Sequence, residues 1–181
     1  MTKPKKVVLG VTGSIAAYKA ADIIRRLHEK GFSVSVVMTR EAEHFITPLT
    51  LSTLAGEKVC RDTFDSYDDA WKMPHIALAQ EADILLIAPA TAAIIGKMAY
   101  GIADNLLTCL ALATKAPILI APAMNTQMYQ NPLVQDNRAR LEKQGVRFIS
   151  SVKGKLACGV VGEGHIADVD IIVKAVADAV K

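Results

Sequence analysis

Three side chains in this sequence are of types, and in settings, that could do chemistry: Asn125, His75 and Cys158. Asn125 lies in Ala121-Pro122-Ala123-Met124-Asn125-Thr126-Gln127-Met128-Tyr129, directly after Pro117 and the apolar run 118–120. That run has strand length and no polar alternation, so it predicts a strand buried on both faces of a parallel sheet. Ligands of open α/β sheets gather outside the carboxyl ends of strands, where an uncharged amide offers both a donor and an acceptor. An Asn in that place also suits a helix cap, and both roles stay open. His75 follows Pro74 at the head of Ile76-Ala-Leu-Ala-Gln-Glu-Ala-Asp83. A Pro-His pair at a helix start puts the imidazole at an element terminus, where it can serve as a base, a cap or a surface group. Cys158 sits in Gly154-Lys155-Leu156-Ala157-Cys158-Gly159-Val160-Val161-Gly162-Glu163-Gly164-His165. The glycines there disfavour a helix and suit a mobile flap, in which a thiol is hard to explain as core and reads as a candidate reactive group or an incidental one.

Strands and helices must alternate to position these groups. Residues 7–11 form an apolar run that ends in Gly10-Val11-Thr12-Gly13-Ser14-Ile15-Ala16-Ala17, after which Ile23, Ile24 and Leu27 keep helical spacing. A helix entered from such a loop presents free N–H groups and a positive dipole end, which suits a phosphate; the glycine can equally serve backbone geometry alone. The spacing is not G-x-G-x-x-G, and the second strand, 33–38, ends in Thr39-Arg40 with no carboxylate for a ribose. NAD is therefore disfavoured, while Arg40 could meet the extra phosphate of NADP and Thr39 the phosphate of a mononucleotide such as FMN. A third strand, 84–88, leads into Pro89-Ala90-Thr91-Ala92, another small-residue loop before a helix. Helix 106–113 is apolar nearly all round and belongs in the core or in a subunit contact, with Cys109 read as a small core residue. Helix 132–144, stopped by Gly145, precedes a strand at 146–149, and a helix at 169–180 closes the chain. Segment 41–69 shows short helical turns and a polar surface loop at 63–69, without evident chemistry, and His28 and His44 are expected to be solvated. The alternation implies right-handed crossovers and an α/β doubly wound parallel sheet with helices on both faces.

With 181 residues, 51% of them hydrophobic, the chain fills one core and is short for two domains. Its 21 basic and 18 acidic residues are dispersed, which argues against nucleic acid. Cys60, Cys109 and Cys158 include no close pair, so neither a disulfide framework nor a metal knuckle is expected. No apolar run reaches the roughly 18 residues of a membrane span, and Met1-Thr-Lys-Pro-Lys-Lys6 leads into a strand without a signal profile. The expectation is a cytoplasmic protein with no membrane partner.

Taken jointly and in order, the motifs resemble those of the homo-oligomeric flavin-containing cysteine decarboxylases. The carriers are Gly13-Ser14-Ile15, Pro74-His75-Ile76 with Ala82-Asp83, Ala88-Pro89-Ala90-Thr91, Ala103-Asp104-Asn105-Leu106-Leu107-Thr108, Pro122-Ala123-Met124-Asn125 with Met128, and Ala157-Cys158-Gly159 with Gly162 and Gly164. The resemblance implies a single Rossmann/flavodoxin-like flavoprotein domain over 1–181, with a substrate flap at about 153–166. It implies FMN, contacted by Gly13, Ser14, Ile15, Thr39, Thr91, Ala92 and Ala123. It makes His75 an aid to substrate oxidation, Asn125 the binder of the substrate carboxylate and Cys158 a proton donor, with Lys155, Leu156 and Ala157 as a substrate clamp. It also implies a small-molecule substrate and a homo-oligomer, a trimer or a multiple of trimers, with sites between subunits.

The implied chemistry is coherent. Loss of carbon dioxide from an acylated cysteine leaves a carbanion without an electron sink, and an acylated nitrogen cannot form a Schiff base. Hydride transfer from the carbon bearing sulfur to FMN makes a thioaldehyde, which can lose carbon dioxide to an enethiolate; the hydride then returns with a proton. Same-fold alternatives are a peptidyl-cysteine decarboxylase, a flavin prenyltransferase, which lacks the paired His and Asn motifs, and a non-catalytic flavin-binding regulatory subunit. This chain keeps His75, Asn125 and Cys158 together. It departs from the family pattern at Ala93, where Asn is usual, at Tyr129, where Trp is usual, and at His165, where Arg is usual.

Overall fold

The computed structural model describes residues 4–63, 73–155 and 161–180. Strands β1 (Lys6–Val11), β2 (Ser33–Met38), β3 (Ile84–Ala90), β4 (Ile118–Pro122) and β5 (Arg147–Phe148) form a sheet in the order β2-β1-β3-β4-β5. Every pairing in it is parallel. Because the order runs one way from β1 to β2 and the other from β3 to β5, a crevice opens between the carboxyl ends of β1 and β3.

Both sheet faces are covered, as the unbroken apolar strands require. Val7, Leu9 and Val11 of β1 point to a layer made by α1 (Lys19–Glu29), α2 (Pro48–Ala55) and α8 (Val169–Ala179). Val8, with Leu85 and Ile87 of β3, points to α3 (Pro74–Glu81), α4 (Ala92–Ala99), α5 (Leu106–Ala113) and α7 (Pro132–Lys143). Gly10 lets α5 approach the sheet, since a Cβ there would lie 2.6 Å from Leu107 Cδ1.

The second strand and the α5 helix have the bounds that their patterns predict, α5 being fixed at its start by a capping box between Asn105 and Thr108. Three expectations need correction. Pro89 and Ala90, read as loop, belong to the end of β3, and Ala121 and Pro122, beyond the predicted apolar run, to the end of β4; all four are buried, and Ala90 pairs with Pro122 after a register irregularity. The strand expected at 146–149 is reduced to Arg147–Phe148 at the sheet edge, with Ile149 N adding one bond to Ile120 O at 2.8 Å. The glycine-rich segment is not loop throughout: β6 (Val152–Lys155) and β7 (Val161–His165) pair antiparallel as a separate ribbon. Two of its glycines, Gly162 and Gly164, lie close against a neighbouring helix start, a packing role that composition does not reveal. Residues 156–160, and 64–72, which take in most of the expected surface loop at 63–69, lie outside the described residues.

Cys109 is half-buried on α5, with its thiol 3.5 Å from the Ala103 carbonyl, so it is not the core residue expected. Leu112 of the same helix is 58% exposed, so the all-round apolar pattern of α5 is not fully covered by this one chain. Among the described residues no helix is long and apolar enough to cross a membrane.

Candidate active site

The end of β1 is clasped to the end of β3 by one hydroxyl. Thr12, 2% exposed, donates from Oγ1 to the Pro89 carbonyl at 2.8 Å and accepts from the Thr91 amide at 3.1 Å. Both neighbours of this clasp are helix caps. Ser14 Oγ accepts from Ala16 N at the start of the short 3-10 turn Ile15–Tyr18, and Thr91 Oγ1 accepts from Ile94 N at the start of α4. One strand further on, Asn125 caps α6 (Thr126–Gln130), its Oδ1 accepting from Gln127 N at 2.8 Å. These caps stand at the ends of three adjacent strands because each strand gives way at once to a small-residue turn.

Together they wall a cavity of about 570 Å³. Gly13, Ser14 and Ile15 line it from β1, Thr91 and Ala92 from β3, and Ala123 and Asn125 from β4. Seven of the sequence-predicted site residues are thus brought together, and Asn125 is both a cap and part of the wall. Lys19, Tyr18, Met128 and His165 also line the cavity; Met128 belongs to the Asn125 motif and His165 to the expected substrate flap, whereas sequence reasoning gave Lys19 and Tyr18 no place there. Lys19 could have been noticed as a base opening the helix after the Gly13 loop. Thr12 left no signal, because its role depends on β3 lying beside β1.

Other predicted residues are elsewhere. Thr39 lies past the end of β2, its amide donating to Val11 O at 3.0 Å, and does not line the cavity. Its side chain is 7% exposed, and Oγ1 has no partner among the described residues. The Gly13 loop packs on the turn after Thr39, where a Cβ on Gly13 would meet Glu41 Cβ at 2.4 Å. His75, behind Pro74 at the head of α3, is half-buried with Nδ1 partnerless among the described residues, and it is absent from the wall. Lys155 ends β6, and Leu156, Ala157 and Cys158 lie outside the described residues. His28 and His44 are exposed, as expected.

The ribbon reaches the Asn125 loop directly. Met124 N donates to Gly164 O at 3.0 Å, and Thr126 Oγ1 donates to Glu163 O at 2.8 Å. No carboxylate lines the cavity among the described residues, while helix-start amides and two basic side chains do. Such a wall favours a ligand carrying negative charge.

The sequence profile of the Flavoprotein family matches residues 1–181. The chain belongs to the flavoprotein family. Within that family it is 47% identical over 172 residues to a probable phosphopantothenoylcysteine decarboxylase of Streptococcus mutans, covering 94% of this chain and 96% of that one. It is 48% identical over 164 residues to the coenzyme A biosynthesis bifunctional protein CoaBC of Vibrio vulnificus, covering 91% of this chain. The match takes in only 41% of that bifunctional protein's length. Among solved flavoprotein structures, a PPC decarboxylase mutant complexed with pantothenoylaminoethenethiol superposes with a TM-score of 0.86 at 33% identity, over 96% of this chain and 97% of that one. The FMN-dependent cysteine decarboxylase SpaF superposes with a TM-score of 0.85 at 31% identity, over 99% of each chain.

Proposed function

We propose that this flavoprotein decarboxylates 4'-phosphopantothenoylcysteine to 4'-phosphopantetheine, a step of coenzyme A biosynthesis, with FMN bound in the cavity at the ends of β1 and β3. The observation that carries this reading is the meeting of Asn125 with the Gly13 and Thr91 loops on one wall, in a chain whose relatives include a probable decarboxylase of that substrate. The residues fit FMN. A cavity of about 570 Å³ falls within the roughly 300–1,000 Å³ of small-molecule sites. Gly13, whose missing Cβ lets its loop pack on Glu41, lines the cavity, and the buried Thr39 hydroxyl, without a partner among the described residues, is a ready donor to an acceptor oxygen near that loop.

Bound there, FMN would supply hydride-accepting and hydride-donating chemistry at the carbon bearing sulfur. The protein's residues do the rest. Asn125, fixed by its own capping bond, orients the substrate carboxylate with its amide. His75 assists the oxidation as a base. Cys158 protonates the enethiolate that remains after carbon dioxide leaves, and Lys155, Leu156 and Ala157 serve as a substrate clamp. The complex of a PPC decarboxylase mutant with an enethiol supports this order of steps.

The reading includes a homo-oligomer, a trimer or a multiple of trimers. His75 does not reach the cavity of its own chain, whereas Ile15, Tyr18 and Met128 line that cavity while 58%, 60% and 49% exposed. An apolar rim of that kind suits cover by a second copy, which would bring its own His75 to the site. Co-refolding inactive His75→Asn with inactive Asn125→Asp is the test. Restored turnover at a fraction of the parent level is expected, and no restored turnover would place both residues in one copy.

A further inference from the structure

The proposed reaction leaves two cavity bases, Lys19 and His165, unused. His165 ends β7, is half-buried and lines the cavity. Its ring has a seat on β6, since a Cβ added to Gly154 would come within 3.3 Å of His165 Cγ and 3.5 Å of Cδ2. Nδ1 lies 2.9 Å from the Ile166 carbonyl oxygen. A carbonyl can only accept, so Nδ1 carries the hydrogen and donates it. Nε2 has no hydrogen-bond partner among the described residues. A ring held this way offers the cavity one nitrogen, which is a charge-assisted donor when the ring is protonated.

The position of that nitrogen narrows its ligand. Met124 N bonds Gly164 O at 3.0 Å, so the backbone of residues 124–125 runs beside that of 164–165. Asn125 and His165 therefore line adjoining parts of one wall, on the β4 side. Thr39 closes β2, three strands away from β4, a separation of about 14 Å at the usual strand spacing. A phosphate held near Thr39 is out of reach of His165. Asn125 is uncharged, and a carboxylate entering a partly desolvated cavity needs a counter-charge as well as an amide. Among the described residues the bases on the wall are Lys19, which opens α1 on the β1 side, and His165.

We propose that His165 is a substrate-binding residue, its protonated Nε2 pairing with the carboxylate that Asn125 orients. This rests on the function proposed above and adds a specificity element: the site takes a substrate that carries a carboxylate and releases a product that has lost it. Once carbon dioxide has gone, the pairing has no partner, so His165 discriminates substrate from product.

The experiment compares His165→Gln and His165→Arg with the parent, each loaded with FMN and checked by its flavin spectrum. KM for phosphopantothenoylcysteine and the competitive inhibition constant of phosphopantetheine, which lacks the carboxylate, are measured side by side. Loss of one charge-assisted hydrogen bond should raise KM for the Gln variant by about tenfold or more. The product constant should stay within about twofold of the parent, and Arg, a fixed cation, should recover most of the substrate affinity. Equal rises for substrate and product in the Gln variant, or no change in KM, would overturn the proposal. Should the Gln variant fail to hold FMN, the Arg variant decides: parent-like discrimination supports the pairing, and its loss in a flavin-loaded protein contradicts it. A parent that does not turn the substrate over would refute the proposed function instead, a distinct outcome.

Discussion

Thr126 donates its hydroxyl to the carbonyl oxygen of Glu163 at 2.8 Å, so the helix that Asn125 caps is tied to the ribbon leading to Cys158. Beside that bond the backbones nearly touch. A Cβ on Gly164 would lie 2.4 Å from the Met124 carbonyl oxygen, and Gly164 has φ +102. Replacing it with Ala strains the backbone and forces the two segments apart, at a cost on the order of 1–3 kcal/mol. Gly164→Ala is expected to lower the denaturation midpoint and to cut turnover more than flavin affinity. Parent-like turnover would show that the Asn125 loop does not depend on this docking.

A second prediction concerns Thr12, which serves the Pro89 carbonyl and the Thr91 amide with one hydroxyl. Thr12→Val keeps the shape and strands both groups in a buried place, at about 1–3 kcal/mol. The Gly13 and Thr91 loops should lose their alignment and FMN should bind about tenfold more weakly. Thr12→Ser should restore most of that affinity. Fluorescence titration of apoprotein with FMN measures it, and equal affinity for the Val variant and the parent would remove Thr12 from the site.

Asn125→Asp separates the two roles of that residue. Aspartate caps helices as well as asparagine does, so the bond to Gln127 N, 2.8 Å in the parent, should persist with little change in stability. The same substitution sets a negative charge against the substrate carboxylate and removes the amide donor, a loss on the order of 1.5–3 kcal/mol before repulsion. Turnover should nearly vanish while flavin remains bound. Turnover near the parent level would reduce Asn125 to a cap.

The strands and the Gly13, Thr91 and Asn125 loops were legible because buried parallel strands leave unbroken apolar runs and their small-residue turns stand out. The placement of Ser33–Met38 and Leu106–Ala113 shows how far periodicity and caps can go. Contacts between segments distant in sequence were not legible. The glycines of 154–164 signalled a loop, yet Gly162 and Gly164 are there to let β7 lie against Thr126 and Met124. The Thr39 hydroxyl, without a partner among the described residues, and the absence of His75 from the cavity wall likewise depend on how the chain packs.

The central claim is that carbon dioxide leaves after the substrate has been oxidised, and that a thiol must then supply a proton. Anaerobic single turnover of FMN-loaded Cys158→Ser, followed by mass spectrometry of the product and absorbance of the flavin, tests it most directly. A serine hydroxyl is far less acidic than a thiol, so oxidation and decarboxylation should proceed and the final protonation should stall. The expected result is bleached flavin and an enethiol two hydrogens short of phosphopantetheine. Saturated phosphopantetheine formed by the variant as it is by the parent would contradict the account.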